Sequence, residues 1–343
     1  MDIDIEATVV AGASGECSGR SSNTYSRGEP WFNDGNVVIV ADKTAFKVHK
    51  GVLAKHSEVL RGLLDSDLPQ PADAERYRDD MSDCPVVRLS ECAADAATFL
   101  EALYGGPYFL RSESHTFKDV ALFTRLGHKY VADDLREGGL RRLRAAFPTR
   151  FSIFSVGEPE IRRLLPGFRT EDSVTVINLA RLTSENGMLP LAFYTCSRLS
   201  LDELVRQAQP LPGTNTEAGL SAGDLVRCLK GREELRVRHS VVKYALASKA
   251  SRPTRCAFSE DCTRAIDHML RDELELLGTR AFVTSETINV LKLSEFKNVY
   301  HGSPLCNACR EALLVQDHKN IVALLYKLPV IFHLGPPMAD DAW

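Results

Sequence analysis

Four cysteines are the strongest chemical signal in this sequence. Cys256 and Cys262 lie in CAFSEDC, and Cys306 and Cys309 in LCNAC, a C-x5-C and a C-x2-C separated by 43 residues. Four thiolates suit a tetrahedral structural zinc site. Ser303-Pro304 reads as a helix start, which puts Cys306 and Cys309 three apart on one face of a first turn. The C-x5-C half is looser than usual zinc spacing. A redox reading would use the same helix start to lower a thiol pKa, but no βαβ pattern precedes it. Free cysteine is also a common core residue. Zinc, redox and plain burial all remain open on the sequence alone.

A second constellation is the pair of histidines and the serine in FKVHKGVLAKHSEVLRGLL, residues 46–64. His56 and Ser57 have the types of a base and a nucleophile, but adjacent helix positions point about 100° apart. No Gly-x-Ser-x-Gly elbow surrounds Ser57. The expected roles are structural: Ser57 bonding back to the Leu53 carbonyl inside a helix, and His49 satisfying open backbone groups at a strand-to-helix junction. Phosphate-loop, Rossmann, H-E-x-x-H and EF-hand patterns are all missing from the sequence.

The elements that must position these residues follow from periodicity. Residues 1–30, rich in Gly and Ser, read as a flexible tail. NVVIVADKTAFKVHK reads as a β-hairpin, and the apolar stripe from Val52 to Leu64 as one amphipathic helix. Residues 65–85 are polar and aperiodic, an insertion loop. PVVRLS restarts a strand, and AADAATFLEALYGG, TFKDVALFTRLGHKYV and ADDLREGGLRRLRAAF read as helices. Beyond Phe147 the pattern is mainly helical, with capping spacings at Ser200 to Glu203 and Ser221 to Asp224. The fold class is therefore α+β: a domain of short strands flanked by helices over 31–147, then a helical domain over 148–343.

Composition narrows the function. With 42 basic against 46 acidic residues the formal charge is -4, so no positive excess exists to neutralise a run of phosphates. LRRLRAAFPTR and KGREELRVR interleave charge with leucine, as solvated helix faces do. IVALLYKLPVIF is broken by Lys327 and Pro329 and falls short of a membrane span. The acidic start MDIDIEATVVAG lacks a signal-peptide pattern. Neither nucleic acid nor membrane is expected as a partner, and the compartment expected is intracellular, cytoplasmic or nuclear. Nine cysteines, an odd number, fit reduced thiols or a metal better than a disulfide framework.

The strand and helix order, with Phe46, His49, Lys50, Val52, Leu53, Ala54, Ser57, Leu60 and Leu64 in register, resembles a BTB/POZ domain. The later INLAR, LCNAC and LYKLPVIFHLG segments resemble the C-terminal regions of fungal BTB proteins. One departure is Asn36, which stands where many members carry an Asp near the basic residue matched by Lys50. The resemblance implies a protein-interaction module, either self-associating as a homodimer or serving as an adaptor to a cullin ubiquitin ligase scaffold. Dimer contacts in the family commonly use the first helix, about Val52 to Leu64, and the N-terminal segment. Cullin contacts use later helices, about Phe117 to Phe147. The competing reading is an enzyme with Cys306 or Cys309 as nucleophile, for which no base partner stands out. Apart from zinc, no cofactor is expected.

Overall fold

The computed structural model describes residues 25–65, 84–110, 115–149, 158–209, 219–247, 253, 255–256, 258, 260–268 and 305–336. The chain divides into two compact units, Met1–Arg142 and Leu143–Trp343. The insertion loop expected over 65–85 lies outside the described residues except at its ends, as does the tail expected over 1–30 up to residue 24.

The first unit is built on a four-stranded sheet. VVIVA forms β2 (Val37–Ala41) and TAFKV forms β3 (Thr44–Val48), paired antiparallel across an Asp42-Lys43 turn. Asp42 takes the left-handed conformation, φ 52, that such a turn needs. Its carboxylate accepts from the Ala93 N–H at 2.9 Å, so the turn also caps a later helix. β4 (Val86–Leu89) runs parallel to β2. Ser26–Arg27 adds β1, parallel to β3 at the other edge, giving the order β1-β3-β2-β4. Residues 25–30 are therefore not tail. Their polar side chains gave no strand signal because the pairing is made by backbone groups.

Both faces of β2 are covered, which is why its sequence is apolar without alternation. Val37, Ile39 and Ala41 face the main core with Phe46, Leu53, Phe99 and Leu126. Val38 and Val40 face a smaller cluster with Ala45, against which Tyr25 and Trp31 pack.

The single helix expected over 52–64 is two: α1 (Lys50–His56) and α2 (Glu58–Asp65), broken at Ser57, whose backbone is extended at φ -142, ψ 120. α3 (Ala93–Leu110) is interrupted by non-helical Gly106. α4 (Phe117–Lys129) starts with a capping box made by Thr116 and Asp119. α5 (Asp133–Ala146) completes the helical layer.

The described part of the second unit is helical: α6 (Glu158–Leu164), α7 (Ser173–Leu182), α8 (Leu189–Cys196), α9 (Leu201–Gln207), α10 (Ala222–Ala247), α11 (residues 260–268), α12 (Asn307–Tyr326) and α13 (Leu328–Ile331), with short 3-10 turns before α7 and α8. The spacings at Ser200 and Ser221 are caps, accepting from the Glu203 and Asp224 N–H groups at 3.1 Å each. Every residue of α8 is buried, as befits a helix apolar all round. α7, α10 and α13 pack on it, and Phe193 stacks on Phe332 at 5.6 Å. Gly231 lets α10 pass the Phe332 ring, which a Cβ there would strike.

Among the described residues no helix is long and apolar enough to cross a membrane.

Candidate functional site: the strand-to-helix junction and the four-cysteine cluster

Phe46, at the centre of β3, is buried, and His49 follows the strand and precedes α1. The His49 side chain does not cap the helix, contrary to expectation. Its Nδ1 lies 2.9 Å from the Tyr104 hydroxyl, which also accepts from the His49 backbone N–H at 2.7 Å. The other ring nitrogen, Nε2, bonds the Asp34 carboxylate at 3.3 Å. The same bond holds the Asp34 carboxyl below its ordinary pKa. Phe32 stacks on Tyr104 at 4.7 Å and closes the cluster. The cap for α1 comes instead from Asn36, whose amide oxygen accepts from the Lys50 N–H at 2.7 Å. The Lys50 ammonium meets Asp65 at 3.7 Å. Asn36 thus serves as a neutral acceptor for the start of α1, Asp65 pairs with the Lys50 charge, and Asp34 holds the histidine.

Val52 and Ala54 lie half-buried on α1 beside fully buried Leu53, and Leu60 and Leu64 carry the core stripe onto α2. Ser57 does not bond back to Leu53 through its side chain. Only its backbone N–H reaches the Leu53 carbonyl, at 3.0 Å. The hydroxyl donates to the Tyr130 carbonyl at 2.6 Å and accepts from the Leu60 N–H at 3.1 Å. Its proton is committed, and the His56 ring lies beside Asp134 at 4.0 Å. No base and nucleophile face each other here.

Sequence reasoning missed Glu91. This buried carboxylate accepts from the Tyr130 hydroxyl and from the Lys129 ammonium, both at 2.5 Å. Burial, then the Glu91 bond, pushes the Tyr130 phenol far above its ordinary pKa. An acid opening a helix-rich stretch reads as a surface residue, so no local signal marked it.

In the second unit Cys256, Cys262, Cys306 and Cys309 converge. All four sulfurs lie within 4.8 Å of one another. The helix start expected at Ser303-Pro304 lies outside the described residues; α12 begins at Asn307 with Cys306 as its N-cap, so Cys309 is the third residue of the first turn. Cys262 is on α11 and buried, and the Cys306 backbone N–H donates to its sulfur at 3.4 Å. Ala265, Ile266, Leu305 and Leu313 surround the cluster. As thiols, Cys262 and Cys309 are both pushed above their ordinary pKa, chiefly by burial. A buried thiol held above its ordinary pKa, as at Cys309, is a poor nucleophile at neutral pH.

Neither the curated proteins nor the solved structures searched yield a match to this chain. A family model does match, over residues 32–137, the stretch that holds the sheet from β2 to β4, the His49 junction and the start of α5. The matching model is that of the BTB/POZ domain, so residues 32–137 of this chain are similar to that family of protein-protein interaction modules.

Proposed function

We propose that the chain works as a self-associating interaction protein, with α1 and α2 of the BTB/POZ domain in the contact between copies. The observation that carries this reading is a pair of exposed helical glycines. Gly51 on α1 and Gly62 on α2 are exposed, and a Cβ added to either meets nothing within 4 Å among the described residues. Glycine inside a helix costs roughly 0.5–1 kcal/mol relative to alanine. Packing among the described residues does not require that cost, whereas close approach of a second backbone would. The family's common use of the first helix in dimers points the same way.

Light scattering on the full chain tests it. A dimer is expected for the unaltered protein and a monomer for the Gly51→Glu, Gly62→Glu double variant, with the unfolding temperature kept. A monomeric unaltered protein at every concentration reached would sink the reading. The adaptor role, with α4 and α5 meeting a cullin, would gain support instead if affinity purification of the full chain from its native cells recovered a cullin scaffold.

A further inference from the structure

We propose that Cys256, Cys262, Cys306 and Cys309 hold one structural zinc ion through four thiolates, independently of the interaction reading above. The geometry carries the assignment. Sulfurs about 2.3 Å from a tetrahedral zinc stand roughly 3.8 Å from each other. The Cys256 and Cys306 sulfurs are 3.9 Å apart, and no pair among the four exceeds 4.8 Å. A disulfide would need about 2.05 Å and would use two of the sulfurs only. All four residues are free thiols.

The backbone around the cluster suits negative sulfur. Cys306 and Cys309 occupy the N-cap and first turn of α12, a helix of 20 residues, where unbonded N–H groups and the positive end of the helix dipole favour thiolates. The Cys306 N–H already points to the Cys262 sulfur, the kind of outer bond that orients and tunes a metal ligand. Arg310, next to Cys309, folds back so that its Nη2 meets the Leu305 carbonyl at 3.3 Å, beside Cys306. Its Nε is buried with no hydrogen-bond partner among the described residues. That cationic group stands close in the chain to a centre that would carry two negative charges. Apolar Ala265, Ile266, Leu305 and Leu313 pack with the buried Cys262 and Cys309, while Cys256 and Cys306 are half-buried.

Binding is balanced as four thiols plus Zn²⁺ giving the four-thiolate zinc centre and four protons. Four protein sulfurs fill the tetrahedron and leave no position for substrate, so the ion is structural rather than catalytic. It fastens α11 to the start of α12 and closes the 43 residues between Cys262 and Cys306 into a loop.

The full chain, grown with added zinc and dialysed, should contain one zinc ion by mass spectrometric metal analysis. Cys256→Ser and Cys309→Ser should each lower the zinc content roughly tenfold or more, and Cys92→Ser, in the other unit, should leave it unchanged. Because a cysteine variant can fail to fold, the unaltered chain is also loaded with Co²⁺. Tetrahedral d–d bands with intense sulfur-to-cobalt charge transfer are expected. Substoichiometric zinc with no such cobalt spectrum, iron in place of zinc, a disulfide among the four cysteines, or equal zinc loss in Cys92→Ser would each overturn the proposal.

Discussion

Ser57 shows how one side chain can decide a backbone path. Its hydroxyl joins the break between α1 and α2 to the Tyr130 carbonyl after α4, 73 residues along the chain. Ser57→Ala leaves that buried carbonyl and the Leu60 N–H without their partner, so a loss of about 1–3 kcal/mol is expected in urea denaturation of the full chain. An unchanged midpoint would mean that water or a backbone shift replaces both bonds. Glu185 offers a pH test. The Arg144 guanidinium, 2.6 Å away, holds its carboxyl below the ordinary 4.5. In that window the unfolded chain binds more protons than the folded one, so stability rises with pH. The contribution is fully present above 4.5 and is lost as pH falls through the lowered folded value. Both groups are partly exposed, so Arg144→Met should cost at most about 1 kcal/mol at neutral pH. The difference from the unaltered protein should vanish in strong acid, as measured by denaturation midpoints across pH.

At the level of elements, glycine positions separate helix faces that pack inside the unit from those that do not. A Cβ on Gly127 of α4 would lie 2.5 Å from the Arg136 backbone nitrogen of α5, and one on Gly139 of α5 would strike the Thr124 hydroxyl. These glycines set how closely α4 approaches α5. Gly127→Ala should therefore destabilise the first unit by about 1–3 kcal/mol although alanine is the better helix former. Gly62→Ala on α2 should do the opposite, raising stability by about 0.5–1 kcal/mol while weakening self-association. Thermal unfolding of the two variants side by side reads both signs. If Gly62→Ala were destabilising, the open space above α2 would already be filled within the chain.

For the whole molecule the two units make different demands. The first has a sheet buried on both faces and a continuous apolar core. Around the cysteines the described residues of the second unit form a small cluster of apolar side chains. If zinc supplies what that cluster lacks, its binding energy is folding energy for the segment. Stripping the metal with a strong chelator should then speed hydrogen exchange in α11 and the first turns of α12, and leave β2 and β3 protected as before. Uniform deprotection of both units, or none, would contradict this division.

The sequence by itself determined what local patterns can encode. The hairpin, the signature from Phe46 to Leu64, the caps at Ser200 and Ser221 and the helical second half all rest on spacings of two, three or four residues, which fix which groups meet within one element. The break at Ser57 was not legible, because the apolar stripe on either side keeps helical period while the group that competes for the hydroxyl comes from Tyr130. The same holds for the partners of His49, for buried Glu91 and for β1, each joined across a long stretch of chain by hydrogen bonds that leave no apolar pattern. The four cysteines show both sides of the division. Their types and the C-x2-C spacing announced thiolate chemistry, but C-x5-C is too loose to specify a site. Only the packing of α11 against the start of α12 brings the four sulfurs within reach of a single ion.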